Sequence, residues 1–156
     1  MLNTLLKFGS HRVDYFDQTG SNPQAFVFYV RGGMAAEERY SHEAKHQLYG
    51  GLAVIRATMG LENLAAVYID IDELANLQRP AYQQMKQDLR AGMFTRVFVF
   101  DVSALLGEPA AEADLANLAA KVGGFELITC GEDGSIFARE TLINEVLICC
   151  FEQVQS

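Results

Sequence analysis

The sequence has few basic residues and no long apolar run. Lys and Arg number 12 against 20 Asp and Glu in 156 residues, which gives a net charge of −8. The basic residues are scattered, whereas nucleic-acid-binding proteins carry basic patches that neutralise phosphates. No apolar run approaches the roughly 20 residues that a membrane-spanning helix needs. We therefore expect neither direct DNA binding by this chain nor insertion into a membrane.

Cysteine is also scarce, and its spacing favours no disulfide or metal framework. The three cysteines are Cys130, Cys149 and Cys150, an odd number without a CxxC pair, so we expect free thiols in a reducing compartment. The first residues show no secretory signature, and we predict a cytoplasmic protein. His42 and His46 lie four apart on a predicted helix, but no HExxH pattern accompanies them. No metal and no cofactor is predicted.

The chain does contain an uninterrupted apolar segment, Ala25 to Val30, which is followed by Arg31, Gly32 and Gly33. Such a run is typical of a strand buried on both faces, and the two glycines mark the exit from the sheet. In open α/β sheets, ligands bind beyond the carboxyl ends of the strands. Arg31 therefore lies where a functional site is expected.

Strand-like and helix-like patterns alternate along the rest of the chain. The predicted elements are a short strand at 11–16, helices at 41–60, 79–92, 111–122 and 139–153, and strands at 64–69, 97–100 and 125–129. This order predicts an α/β fold, with a mostly parallel four- to five-stranded sheet and helices on both faces. Residues 1–24 are interpreted as an N-terminal extension, and residues 25–156 as a single α/β domain.

Several short motifs occur in a characteristic order. Tyr29-Val30-Arg31 is similar to Tyr-x-Arg-x-Ser, and Ser41-His42-Glu43-Ala44 is similar to the start of a Ser-x-Glu-Ala-Gln helix. Arg79-Pro80, followed by Leu89 to Gly92 and a strand, fits an Arg-Pro…Leu-x-x-Gly segment. Glu132-Asp133 and the ending Cys149 to Glu152 complete the series. From about Phe26 to Phe151 the chain thereby resembles the catalytic domain of serine recombinases, the resolvase/invertase family, which implies a resolvase-like fold.

The resemblance implies a family chemistry whose key residues this chain lacks. In that family a serine hydroxyl attacks a DNA phosphodiester while clustered arginines stabilise the charge on the phosphate. Here the nucleophile position falls on Gly33. The positions of the family's acid and of two arginines fall on Ser103, Ala104 and Gly107. The resemblance therefore implies a pseudoenzyme without catalytic residues.

The arginines that remain, Arg31 and Arg79, have two interpretations. They can form structural ion pairs, Arg31 with Asp70 or Asp101 and Arg79 with Glu73. Alternatively, Arg31, Gly32, Gly33 and Arg79 form the remnant of a shallow anion pocket, since guanidinium groups and glycine amides both bind anions.

The last predicted helix is apolar around much of its circumference, which indicates burial against more than its own domain. The proposed oligomer interface consists of Ile143, Val146, Leu147, Cys150 and Phe151. The resemblance assigns dimerisation to the equivalent helix of the family. We therefore expect a homo-oligomer, with an active recombinase or another protein as a further partner, and a link to DNA recombination or mobile elements. Two alternatives stay open, a small-anion or nucleotide-binding module and a residual site-specific recombinase.

Overall fold

The chain forms a six-stranded sheet with helices on both faces. The structure, a computed structural model, describes residues 11–32, 42–71, 79–100, 109–130 and 136–140. Its strands are β1 (His11–Tyr15), β2 (Phe26–Gly32), β3 (Leu64–Ile71), β4 (Arg96–Val99), β5 (Glu126–Cys130) and β6 (Ile136–Glu140). Its α-helices are α1 (His42–Thr58), α2 (Pro80–Arg90) and α3 (Pro109–Val122), and a short 3-10 turn, Leu61–Asn63, precedes β3.

The strand order is β1-β3-β2-β4-β5-β6. The four inner strands are parallel, and β1 and β6 pair antiparallel with β3 and β5 at the two edges. The predicted α/β class, with its mostly parallel sheet and helices on both faces, is confirmed. The short strand expected near residue 11 is present, so residues 11–15 of the N-terminal stretch belong to the same sheet.

Two apolar clusters cover the two faces of the sheet, because successive residues of a strand point to opposite sides. All seven residues of β2 are buried, as its continuous apolar run predicts. On one face α1 contributes Ala44, Leu48 and Ile55. On the other face α2 and α3 pack side by side, and their inward residues are Tyr82, Met85, Leu89, Leu115, Leu118 and Ala119. These buried residues recur at spacings of three, four or seven positions and form the inner stripe of each helix.

The approach of α1 to the sheet depends on Gly51. A Cβ at this position would lie 2.2 Å from Cζ of Phe28, which is far inside van der Waals contact. Glycine is intrinsically unfavourable inside a helix. It is present at position 51 because no larger side chain fits over the ring of Phe28.

The predicted start of the last helix is wrong. Arg139 and Glu140 belong to β6, which pairs antiparallel with β5, with Ile136 opposite Cys130 and Glu140 opposite Glu126. The five residues 131–135 include Asp133-Gly134, a turn signal of the kind that joins neighbouring antiparallel strands. A hairpin therefore continues the sheet at the point where we expected a helix. Residues 141–156 lie outside the described residues.

Candidate functional site

The candidate site lies at the carboxyl ends of β2 and β3, beside the beginning of α2. Arg31 is the penultimate residue of β2 and is the register partner of Asp70 on β3. Arg79 immediately precedes α2. These three charged side chains are all buried, with Arg31 4%, Asp70 0% and Arg79 1% exposed. Two arginines and one aspartate are therefore buried together at the carboxyl ends of the parallel strands.

Asp70 caps the first turn of α2 from the neighbouring strand. Its Oδ1 accepts a hydrogen bond of 2.9 Å from the amide of Ala81, and its Oδ2 accepts one of 2.8 Å from the amide of Tyr82. Pro80, at the first helical position, has no amide hydrogen to satisfy. The amide of Gln83 donates to the carbonyl of Arg79 at 3.0 Å. The first backbone amides of a helix have no partner within the helix and need one elsewhere when they are buried. In α2 the side chain of Asp70 accepts two of them.

The hydroxyl of Tyr29 joins Asp70 to Arg79. It donates to Oδ2 of Asp70 at 2.9 Å and accepts from Nη1 of Arg79 at 3.1 Å. The guanidinium carbon of Arg79 lies 4.5 Å from the ring centre of Tyr82 and 5.8 Å from that of Tyr29. Aromatic faces stabilise a cation, most strongly where water is excluded. The guanidinium of Arg79 therefore lies beside two aromatic rings in the interior.

Both arginines act electrostatically on the Tyr29 hydroxyl. Burial raises the pKa of Tyr29 well above its ordinary value, and the charge of Asp70 raises it further. The positive charges of Arg79 and Arg31 oppose this rise. The structure thus brings Arg31 and Arg79 within electrostatic range of one buried hydroxyl.

Sequence reasoning missed Gln47, which fixes the end of β2. Its side-chain Nε2 donates to the carbonyl of Arg31 at 2.7 Å, and its Oε1 accepts from the amide of Arg31 at 3.2 Å. Gln47 is 3% exposed. The side-chain amide of Gln47 therefore bonds the backbone of Arg31 as a neighbouring strand would, and it connects β2 to α1. The one available signal was a polar residue next to the apolar stripe of a helix, directly before Leu48.

A second polar chain extends from the same cluster to α3. Tyr82 donates its hydroxyl to Oδ2 of Asp114 at 2.5 Å, and Nζ of Lys86 contacts the same oxygen at 2.8 Å. Burial raises the pKa of Asp114, but the hydrogen bonds from Lys86 and Tyr82, together with the charges of Lys86 and Arg79, outweigh it and leave the pKa below its ordinary value. The ammonium of Lys86 also lies 4.7 Å from the ring centre of Tyr82. This carboxylate therefore links α2 to α3.

A third carboxylate, Asp88, anchors α2 to β1 and β3. Its Oδ2 accepts hydrogen bonds from the hydroxyls of Tyr15 at 2.6 Å and of Tyr68 at 2.7 Å. Burial, followed by the hydrogen bond to Asp88, raises the pKa of Tyr15 to about 12. The same two causes raise the pKa of Tyr68. Among the tyrosines that the structure describes, four thus donate to aspartates, namely Tyr15, Tyr29, Tyr68 and Tyr82.

Only part of the predicted site falls within the described residues. Arg31, Gly32 and Arg79 are placed as above. Gly33, Ser103, Ala104 and Gly107 lie outside the described residues, as do Asp101 and Glu73, so these alternative ion pairs stay predictions. The proposed interface residues lie outside as well, namely Ile143, Val146, Leu147, Cys150 and Phe151.

His46 packs edge-on against Phe100, with ring centres 5.5 Å apart.

A cleft of about 500 Å³ lies away from this cluster. Its lining includes Arg90 and Gly92 after α2, Thr95 before β4, and Lys121 and Gly124 around the end of α3. Because these residues precede β4 and β5, the cleft lies at the amino-terminal end of the strands. The charged cluster and the cleft are therefore separate features.

No family model, curated protein or solved structure matches the chain. Within the described residues, no helix has the length and apolar character needed to cross a membrane.

We expect Tyr29→Phe to lower the free energy of unfolding by about 1–3 kcal/mol, because it removes a buried hydroxyl that bonds both Asp70 and Arg79. Urea denaturation followed by circular dichroism measures this change. Tyr49→Phe is the matched control, since Tyr49 is 48% exposed, and we expect it to change stability by less than about 0.5 kcal/mol. Equal effects of the two substitutions would contradict the bridging role of Tyr29.

We also expect the protein to lose stability as the pH rises through about 10 to 12. The pKa values of Tyr15, Tyr29, Tyr68 and Tyr82 are raised from 10.0 in the folded chain. Below pH 10 both states keep these protons and the stabilisation is complete. Above it the unfolded chain releases protons that the folded chain retains, so unfolding is favoured. Tyrosinate absorbance and circular dichroism should change together; ionisation of these tyrosines near pH 10 in a chain that stays folded would contradict this expectation.

Proposed function

We propose that this chain is a catalytically inactive, resolvase-like α/β domain that acts in the cytoplasm through self-association or through binding of a protein partner. The observation that carries the proposal is the burial of Arg79, which is 1% exposed. Its guanidinium stacks on Tyr82 and donates to Tyr29. A buried arginine with these contacts stabilises the fold. Its presence is therefore explained without a phosphate ligand.

The absent reactive groups support the same proposal. In the resemblance to serine recombinases, the nucleophile position is Gly33, which has no side chain. A weak nucleophile requires a base or preorganised charge, and loss of a single stabilising donor costs roughly 10²- to 10³-fold in rate. Here the acid and two arginines are replaced by Ser103, Ala104 and Gly107. The net charge of −8 further opposes direct contact with DNA.

The proposed activity is therefore association, in a process linked to DNA recombination or mobile elements. The sequence 142–151 contains eight apolar residues or cysteines among ten, and the resemblance assigns dimerisation to the equivalent segment. A second copy, an active recombinase or another protein would bury this surface. Burial of apolar side chains is the main favourable contribution to such association.

Light scattering behind a sizing column, over a range of concentrations, tests self-association. We expect a dimer or a larger oligomer that Leu147→Glu dissociates, because a carboxylate is costly to bury in an apolar interface. Leu61→Glu is the matched control, since Leu61 is 39% exposed on the described surface, and it should leave the mass unchanged. A monomer at all concentrations would contradict self-association and leave binding of a different protein as the remaining form of the proposal.

One observation favours a second function, binding of a small anion or a nucleotide. From β2 the chain passes through α1 to β3, which lies on one side of β2 in the sheet. From β3 it passes through α2 to β4, which lies on the other side of β2. This reversal of direction creates a switch point between β2 and β4, where open α/β sheets bind ligands beyond the strand ends. Arg31 and Gly32 end β2 at this place.

Thermal unfolding in phosphate or in a nucleoside triphosphate tests this second function, with chloride at equal ionic strength as the reference. If the site binds, a ligand at about 100 times its dissociation constant stabilises the fold by roughly 2.7 kcal/mol. Arg31→Gln should abolish the ligand-dependent increase in melting temperature, whereas Arg56→Gln, on the exposed side of α1, should retain it. An unchanged melting temperature in the unmodified protein would exclude the anion site.

A further inference from the structure

The edge strand β1 presents backbone groups that are suited to pairing with another strand. Among the strands that the structure describes, β1 pairs with β3 alone and lies at one edge of the sheet. The amide of Phe16 donates to the carbonyl of Ala65 at 2.7 Å, which continues the register of β1 on β3. In an antiparallel pair such bonded positions alternate. Arg12 and Asp14 therefore also direct their backbone groups toward β3, and His11, Val13 and Tyr15 direct theirs outward.

The side chains of β1 differ between its two faces. Val13 and Tyr15 pack against the apolar cluster that α2 and α3 cover. Arg12 and Asp14 are on the opposite face, where Nε of Arg12 lies 2.6 Å from Oδ2 of Asp14. Their side chains are 23% and 30% exposed. The edge therefore carries one positive and one negative charge, on either side of Val13.

We infer that β1 pairs antiparallel with β1 of a second copy of this chain, centred on Val13. This inference rests on the proposed self-association and adds a second contact to the dimer proposed through the segment 142–151, so that loss of either contact weakens the dimer. A two-fold axis perpendicular to the sheet relates the two copies, so that each residue meets a residue on the same face. With Val13 opposite its own symmetry mate, Arg12 of each copy meets Asp14 of the other.

The neighbouring registers are electrostatically unfavourable. Centring the pair on Arg12 places two arginines opposite each other, and centring it on Asp14 places two carboxylates opposite each other. Like charges directly across a strand pair are destabilising, whereas opposite charges are stabilising. In these alternative registers each residue meets a partner two positions away from its partner in the Val13-centred pair. A register in which the partner moves by one position is excluded, because residues from different faces of the sheet would then lie opposite each other. Among the registers centred on Arg12, Val13 and Asp14, the charges thus favour the one centred on Val13.

The same register satisfies the geometry of the backbone. Val13, with its outward amide and carbonyl, exchanges two hydrogen bonds with its symmetry mate, and His11 exchanges two with Tyr15 of the other copy. The Arg12–Asp14 positions become the closer, non-hydrogen-bonded pairs, in which side chains interact best. Charged residues commonly protect an edge strand from unspecific pairing. Here the order of the two charges matches a second copy of β1.

Charge reversal tests the pairing. Arg12→Asp places four carboxylates at the contact and Asp14→Arg places four cations there, so each variant alone should dissociate with a dissociation constant raised by at least about tenfold. An equimolar mixture of the two variants should recover the mass of the dimer, because every contact is then between opposite charges. The doubly exchanged variant, Arg12→Asp with Asp14→Arg, should also form the dimer on its own.

Val13→Pro provides a test that does not depend on charge. Proline lacks the amide hydrogen that Val13 directs outward, and an edge strand tolerates proline at such a position. We expect a folded monomer, with folding checked by circular dichroism. Together with the charge variants, it separates loss of the dimer from loss of the fold.

The outcomes distinguish this inference from the proposed function. Dissociation of both single variants and recovery on mixing support pairing through β1. If Arg12→Asp remains dimeric while Leu147→Glu becomes monomeric, the β1 pairing is wrong and association through the segment 142–151 stands. If the unmodified chain is monomeric at all concentrations, both the β1 pairing and self-association are wrong.

Discussion

The arrangement of the buried site depends on the carboxyl group of Asp70. This side chain leaves β3 and accepts the two free amides at the start of α2, which fixes both the position and the direction of that helix. The positive end of the helix dipole favours an anion at this place. Because Tyr29 donates to the same carboxyl group, β2, β3 and α2 are connected at one point. Arg79, the residue before α2, is thereby placed beside Tyr29.

The other contacts of α2 follow the same principle. Asp88 near its end receives Tyr15 and Tyr68 from β1 and β3, and Tyr82 near its start donates to Asp114 of α3. Hydrogen bonds between a hydroxyl and a carboxylate are shorter and stronger than neutral ones. Each of these three hydroxyls therefore has an acidic partner on a helix, Asp88 for Tyr15 and Tyr68 and Asp114 for Tyr82. Part of the acidic composition of the chain serves this internal purpose.

Most helices and strands could be predicted from the sequence because they depend on local patterns. The uniform burial of β2 and the inner stripe of α2 follow from apolar residues at the spacing of a strand and of a helix. The hydrogen-bond network could not be predicted in the same way. Tyr15 and Asp88 are 73 residues apart, and Tyr29 and Arg79 are 50 apart, so only the folded topology brings them together. β6 was missed because its last two residues, Arg139 and Glu140, were joined to the apolar pattern that follows them, and its first three were assigned to no element.

The burial of Arg79 also limits what motif similarity can indicate about activity. An arginine in a motif that resembles one of a family of DNA-cleaving enzymes invites interpretation as a remnant of phosphate chemistry. In this chain the position immediately before α2 is enclosed by Tyr29 and Tyr82, and a buried cation without such partners would be strongly destabilising. Once the two rings and the Tyr29 hydroxyl are present, replacing the arginine would leave its partners unsatisfied. The fold alone is therefore sufficient to retain Arg79, and its presence is no argument for catalysis.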